Sequence, residues 1–99
     1  PARPGTVIAA DWNAQPGGPT MQALDRAGWV DAWDAAPACT AGTTVPRPPS
    51  HRVRLDGFRL GPGLAARGIR MLEPEEIRLG DAGWLSDHLP VVAELVPAA

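Results

Sequence analysis

The chain has 99 residues, which is enough for one hydrophobic core and too few for a second domain. A hydrophobic fraction of 44% and a charged fraction of 20% are those of a folded globular domain, which excludes the disordered and fibrous classes. The net charge of -2 argues against a broad basic surface for nucleic acid, and the single cysteine, Cys39, excludes an internal disulfide and a multi-cysteine metal site.

The amino-terminal third predicts a strand followed by a helix. An apolar run over residues 6–10 predicts a buried strand that ends at Asp11. After a Pro- and Gly-rich turn, Pro19 suits the first position of a helix, and Gly28 ends it. The helix places apolar residues at a spacing of three, on one face that covers a sheet: Met21, Leu24 and Ala27.

The middle of the chain, residues 29–49, shows no regular period. Trp29, Val30 and Trp33 are predicted to be buried anchors, and the Pro-, Thr- and Gly-rich residues after them predict a loop. All nine basic residues are arginine, and four of them lie between residues 46 and 60: Arg47, Arg52, Arg54 and Arg59. The cluster indicates a solvated basic face, and contact with a phosphate substrate is the alternative.

The carboxyl-terminal half predicts three strands. Residues 51–60 alternate apolar and polar side chains, residues 68–76 carry a further short strand, and residues 89–96 are apolar on both faces apart from Glu94, as in a central strand. The element order predicts an α/β fold, α+β by strict criteria, with a mostly antiparallel or mixed sheet and a helix on one face. No apolar run is long enough for a membrane span, and no targeting segment is present, so a cytoplasmic or secreted location stays open.

Polar residues with chemical potential lie at the predicted strand ends. Asp11 and Asn13 leave one strand two residues apart and face the same way, although Asn13 is also typical of a turn. Asp56 lies in an apolar strand, where a carboxylate needs a partner, and His88 is the predicted one. A carboxylate bonded to one imidazole nitrogen fixes the tautomer and prepares the other nitrogen for proton transfer or phosphate contact.

Three segments in this order, ADWNA, RLDGF and SDHLPVVAEL, resemble the carboxyl-terminal half of the endonuclease/exonuclease/phosphatase superfamily, the deoxyribonuclease-like metal-dependent phosphoesterases. The resemblance runs from about Val7 to Leu95. It implies that residues 1–99 form one half of a four-layer α/β/β/α sandwich. The amino-terminal half is then absent from this chain, and that half or a second copy of the chain covers the exposed sheet face.

The resemblance also implies a role for each matching residue. Asp11 orients or deprotonates the attacking water, and Asn13 holds a non-bridging phosphate oxygen. Asp56 orients His88, and His88 contacts the scissile phosphate. Asp87 helps to bind Mg²⁺ or Mn²⁺. The isolated half is expected to have little or no activity, because the family takes its metal-binding Glu from the other half.

The sequence departs from the family at Gly57, where an aromatic residue is common, unless Phe58 compensates through a register change. Trp84 either packs in the core or stacks on the substrate at the rim of the site. The substrate stays open among nucleic acid, phospholipid, inositol phosphate and small phosphodiesters.

Three alternatives use some of the same residues. A serine hydrolase would use Ser86 with His88 and Asp56, but it lacks a Gly-Xaa-Ser-Xaa-Gly turn. A zinc site would use His51, His88 and an Asp, without diagnostic spacing. A non-catalytic binding or self-assembling module would keep half of the fold as a scaffold.

Overall fold

The protein is described by a computed structural model over residues 1–14, 17–36, 56–72, 76, 78 and 88–98. Helices and antiparallel strands occur together in these ranges, which confirms the α+β class. The elements are β1 (Val7–Asp11), α1 (Pro19–Arg26), β2 (Val30–Asp31), α2 (Ala32–Ala35), β3 (Asp56–Leu60), β4 (Leu64–Met71) and β5 (Val91–Pro97).

The described strands form two antiparallel sheets. One sheet has the order β1-β3-β2, and the other pairs β4 with β5. Because β1 and β3 run in opposite directions, the last residue of β1, Asp11, lies opposite the first residue of β3, Asp56. On the other side of β3, Asp31 of β2 lies opposite Arg59. The start of β3 is therefore the place where the two predicted carboxylates meet.

The core joins the two sheets through α2. This one-turn helix lies between β3 and β4 and carries Trp33, which is 4% exposed. Asp31 starts the helix as its N-cap, because its carboxylate accepts the backbone N–H of Trp33 at 2.9 Å. The buried core cluster consists of Ala32, Trp33, Ala36, Leu60, Ala66 and Ile69.

The turn between β3 and β4, residues 61–63, bonds to both ends of the described chain. Its backbone hydrogen bonds are Gly61 N–H to the Thr6 oxygen (2.8 Å), Gly5 N–H to the Pro62 oxygen (2.9 Å) and Ala98 N–H to the Gly63 oxygen (2.9 Å). A Cβ at Gly61 would collide with the backbone oxygen of Arg3, so only glycine allows this approach.

Helix α1 confirms the predicted helix. Pro19 is its first residue, and Gly28 follows its end with a φ of 92°, a left-handed conformation that suits glycine. Met21 is its one buried residue, while Leu24 and Ala27 are half-buried. The predicted apolar face of three residues is therefore fully buried only at Met21.

Four predictions about individual elements are wrong. Among the described strands, β1 lies at the edge of the three-stranded sheet, and it has no fully buried residue. Val30 is 51% exposed, although it lies opposite the buried Leu60. Within the described residues β5 pairs with β4 alone and is not a central strand. The region around residue 30 was predicted to be irregular, yet it contains both β2 and α2.

The prediction of a solvated basic face is wrong for Arg59, which is 3% exposed. Its guanidinium donates to Asp25 Oδ1 at 2.6 Å and to the Trp29 backbone oxygen at 2.9 Å, and it lies 3.7 Å from Asp31 Oδ2. A buried cation is costly unless it is paired in this way. Arg47, Arg52 and Arg54 lie outside the described residues.

Other predictions have mixed outcomes. Trp33 is buried as predicted, whereas Trp29 is half-buried. The short strand predicted over residues 68–76 begins earlier, at Leu64, and continues past an irregularity between Ala66 and Gly68. None of the described helices is long and apolar enough to cross a membrane.

Candidate functional site

Three separate segments of the chain bring two carboxylates and one imidazole together. Asp11 comes from the end of β1, Asp56 from the start of β3, and His88 from the residues just before β5. One ligand atom of each residue lies within 4.8 Å of the others. The sequence reasoning placed all three in one site, and the structure brings them together.

His88 and Asp56 form a close pair. Nδ1 of His88 lies 2.8 Å from Oδ2 of Asp56 and 3.9 Å from Oδ2 of Asp11. An ionised carboxylate only accepts hydrogen bonds, so Nδ1 is the nitrogen that carries the proton in this pair. The predicted partnership of Asp56 with His88 is therefore confirmed, and Nε2 is the nitrogen on which His88 can do chemistry.

The three side chains of the cluster differ in their exposure to solvent. Asp56 is 20% exposed, His88 is 29% exposed and Asp11 is 47% exposed. The carboxylate that holds the imidazole is thus the most protected, and the second carboxylate is open to water and to a ligand. Both carboxylates lie on the Nδ1 side of the ring, and the gradient suits Asp56 as the orienting carboxylate and Asp11 as the accessible one.

Asn13 forms the turn that the sequence offered as the alternative interpretation. Its backbone N–H donates to Oδ1 of Asp11 at 2.9 Å, and its φ of 51° is in the left-handed region that Asn tolerates. The turn ties Asn13 to the carboxylate of Asp11 and leaves the residue exposed. A contact between its side chain and a phosphate stays a prediction.

Trp33 lies directly behind Asp56, and sequence reasoning assigned it to the core alone. Its indole N–H donates to the backbone oxygen of Asp56 at 2.9 Å. The indole also occupies the space that a side chain at Gly57 would need, since a Cβ there would lie 2.9 Å from Nε1 of Trp33. The indole of Trp33 therefore leaves little room for a side chain at position 57.

Phe58 follows Gly57 in the β1–β3 pairing, and its replacement of a family aromatic residue stays a prediction. The β1–β3 pairing continues without a shift, with Ala10 opposite Gly57 and Ala9 opposite Phe58. Phe58 lines a cavity of about 240 Å³ beside the His88–Asp56 pair. The other lining residues are small or apolar, and they include Ala9, Ala10 and Leu89. The cavity gives a ligand at His88 an apolar neighbour.

The donor set fits a hard divalent cation in part. The carboxylates of Asp11 and Asp56 are the oxygen ligands that Mg²⁺ and Mn²⁺ accept together with water. Nδ1 of His88 already bonds Asp56, which leaves Nε2 as the nitrogen that can meet a cation or a substrate. The predicted metal ligand Asp87 lies outside the described residues, as do Trp84, Ser86 and His51.

No protein-family model, curated protein or solved structure matches this chain.

Proposed function

We propose that the chain is part of a divalent-metal-dependent phosphoesterase of the endonuclease/exonuclease/phosphatase type, built as the carboxyl-terminal half of a four-layer sandwich. The observation that supports this most is the 2.8 Å contact between Asp56 Oδ2 and His88 Nδ1, with Asp11 at 3.9 Å from the same nitrogen. These residues come from three motifs far apart in the sequence: the β1–β3 pairing places Asp11 opposite Asp56, and His88 reaches them from the segment before β5.

The reaction we propose is attack of a water oxygen on phosphorus, with cleavage of the bond to the leaving oxygen. Asp11 orients the water and takes its proton, as its exposed carboxylate allows. Asn13 donates its side-chain amide to a non-bridging oxygen, next to the carboxylate that its backbone already contacts. His88 directs Nε2 toward the phosphate while Asp56 holds Nδ1.

Mg²⁺ or Mn²⁺, when bound, would neutralise the negative charge that builds on the phosphate and on the leaving oxygen. We propose that Asp11 is one ligand of this cation. Asp87 would supply the further carboxylate that the family resemblance implies. Two carboxylates with several waters suit the coordination that Mg²⁺ prefers.

We also propose that an amino-terminal half, or a second copy of this chain, covers the open side of the sheet and completes the metal site. Ala9 of β1 is exposed, and Val92 of β5 is 47% exposed. Apolar side chains at these positions suit a partner surface. The chain by itself is then expected to be nearly inactive.

The test is hydrolysis of bis(4-nitrophenyl) phosphate in the presence of Mg²⁺ or Mn²⁺, by the 99-residue chain and by the longest gene product that carries it. His88→Gln keeps a polar side chain of similar reach but cannot donate or accept at Nε2 as imidazole does. We expect it to lower kcat by about 10²- to 10³-fold. His51→Gln, at the other histidine of the sequence, is the matched control and should leave kcat unchanged.

Chelation separates this proposal from the serine-hydrolase alternative. Excess EDTA should abolish the activity and added Mn²⁺ should restore it, because the proposed reaction depends on a bound cation. Activity that survives EDTA, or a His88→Gln protein as active as the His51→Gln protein, contradicts the proposed function.

A further inference from the structure

We propose that Trp33 is a positioning residue for the Asp56–His88 pair, through the hydrogen bond from its indole N–H to the backbone oxygen of Asp56. The significance of this role for catalysis rests on the proposed function. The role itself is a property of the structure and is testable without any substrate.

The indole acts at the residue that holds the imidazole. Nε1 of Trp33 lies 2.9 Å from the Asp56 oxygen, and the side chain of the same Asp56 accepts from His88 at 2.8 Å. Asp56 also lies opposite Asp11 in the β1–β3 pairing. The indole bond adds a restraint on the backbone of the residue whose carboxylate holds His88.

Gly57 brings the indole close enough to make this bond. A Cβ at this position would lie 3.1 Å from Cδ1 of Trp33 and 2.9 Å from its Nε1, and the second distance is shorter than real Cβ atoms show. The indole can therefore take this position only because residue 57 has no side chain. Any larger residue at position 57 pushes the indole away from the Asp56 oxygen.

A backbone hydrogen bond and packing in the core fix the position of Trp33. Its backbone N–H donates to Oδ1 of Asp31 at 2.9 Å, and Oδ2 of Asp31 lies 3.7 Å from the buried guanidinium of Arg59. The side chain is 4% exposed and packs in the core that joins the two sheets. A side chain fixed at both its backbone and its ring can transmit that rigidity to Asp56.

The experiment is to compare the wild-type chain with Trp33→Phe by ¹⁵N NMR of the histidine rings. Phenylalanine keeps an aromatic ring in the core, but it removes the indole N–H donor together with part of the ring volume. In the wild type we expect His88 to be the Nδ1–H tautomer when neutral, with a Hδ1 proton protected from exchange with water. In Trp33→Phe we expect loss of that protected proton and a mixture of the two tautomers.

Three controls separate positioning from general destabilisation. Trp29→Phe removes another indole N–H from a half-buried position and should leave the His88 ring signals unchanged. The ring signals of His51 give an internal reference in every spectrum. Gly57→Ala should displace the indole while Trp33 is retained, and it should reproduce the His88 signature of Trp33→Phe.

If Trp33→Phe does not fold, β-(3-benzothienyl)alanine at position 33 replaces the indole N–H with sulfur at nearly constant shape. Loss of the protected His88 proton in this variant supports the proposal. A His88 ring that keeps the wild-type tautomer and protection in a folded variant lacking the N–H overturns it.

Activity measurements then distinguish this inference from the proposed function. In an active protein, Trp33→Phe should lower kcat by roughly 10- to 100-fold with little change in KM, since a misplaced catalytic group affects the transition state more than substrate binding. A changed tautomer, together with no phosphoesterase activity in the longest gene product that carries the chain, keeps the positioning role and rejects the function. An unchanged tautomer in an active protein rejects the positioning role and keeps the function.

Discussion

His88 has one nitrogen committed to Asp56, so its chemistry depends on the charge of that carboxylate. Asp56→Asn keeps the size of the side chain and removes the charge that stabilises a protonated imidazole. Its amide also donates, which allows the ring to adopt the other tautomer. We expect kcat for phosphodiester hydrolysis to fall by about 10²- to 10⁴-fold while the free energy of unfolding changes little.

Glu94→Gln is the matched control for Asp56→Asn. It also neutralises a carboxylate, but on the β4–β5 sheet, where Glu94 pairs with Arg67 at the surface. Its kcat should equal that of the wild type. Equal kcat values for Asp56→Asn and the wild type would show that the pair has no catalytic role.

The pairing of Asp56 with His88 could be predicted from the sequence. An Asp in an apolar strand needs a partner, and this requirement led from Asp56 to His88. The same requirement applies to Arg59, but its partners Asp25 and Asp31 come from two other elements, and nothing in a local run of arginines identifies them. The role of Trp33 could not be predicted from the sequence, because every residue has a backbone oxygen and a hydrogen bond to one does not depend on the residue type of the acceptor.

Among the elements, α2 is the most dependent on one residue. Asp31 caps its first turn and also faces the guanidinium of Arg59. Asp31→Ala removes the cap and one partner of a buried cation, so we expect the free energy of unfolding to fall by about 2 to 4 kcal/mol. Urea unfolding followed by circular dichroism measures the change.

Asp31→Asn divides that effect into its two causes. Asparagine is as good an N-cap as aspartate but carries no charge, so this variant loses only the ion pair. It should be more stable than Asp31→Ala by about 1 kcal/mol, the usual contribution of an N-cap. Identical unfolding midpoints for the two variants would mean that the cap contributes nothing to α2.

The elements that the sequence missed are the shortest ones. Strand β2 has two residues and α2 has four, so neither contains enough residues to show a period of 2.0 or 3.6. Helix α1, with eight residues, was predicted from its Pro19 start and its glycine end. The edge position of β1 was also missed, because an apolar run does not reveal which strands lie beside it.

For the whole molecule, the turn at residues 61–63 links the two sheets and bonds to both ends of the described chain. Gly61→Ala would force a methyl group against the backbone oxygen of Arg3, which cannot move without breaking the adjacent hydrogen bonds. We expect a loss of about 1 to 3 kcal/mol in the free energy of unfolding, measured by urea titration.

Gly68→Ala is the matched control, because nothing lies within 4 Å of a Cβ at that position. It should change the free energy of unfolding by less than about 0.5 kcal/mol. If both alanine variants are equally stable, the amino-terminal segment is not held at the turn as the structure describes.

The overall arrangement was the hardest part to predict from sequence. The class followed from the order of a strand, a helix and further strands, but the division into two sheets depends on where the chain turns at residues 61–63. That turn is made by backbone contacts between segments more than 50 residues apart, such as Gly61 with Thr6. No local pattern records contacts at this separation.

Phe58 is the only phenylalanine in the sequence, and it lines the cavity beside His88 and Asp56. Growth on 4-fluorophenylalanine would therefore place a single fluorine in the chain, next to the candidate site, without any substitution by mutagenesis. One ¹⁹F resonance would report directly on Mn²⁺, phosphate or a nucleotide entering that cavity. The chain thus contains a natural position for a spectroscopic label at the place where its chemistry is proposed to occur.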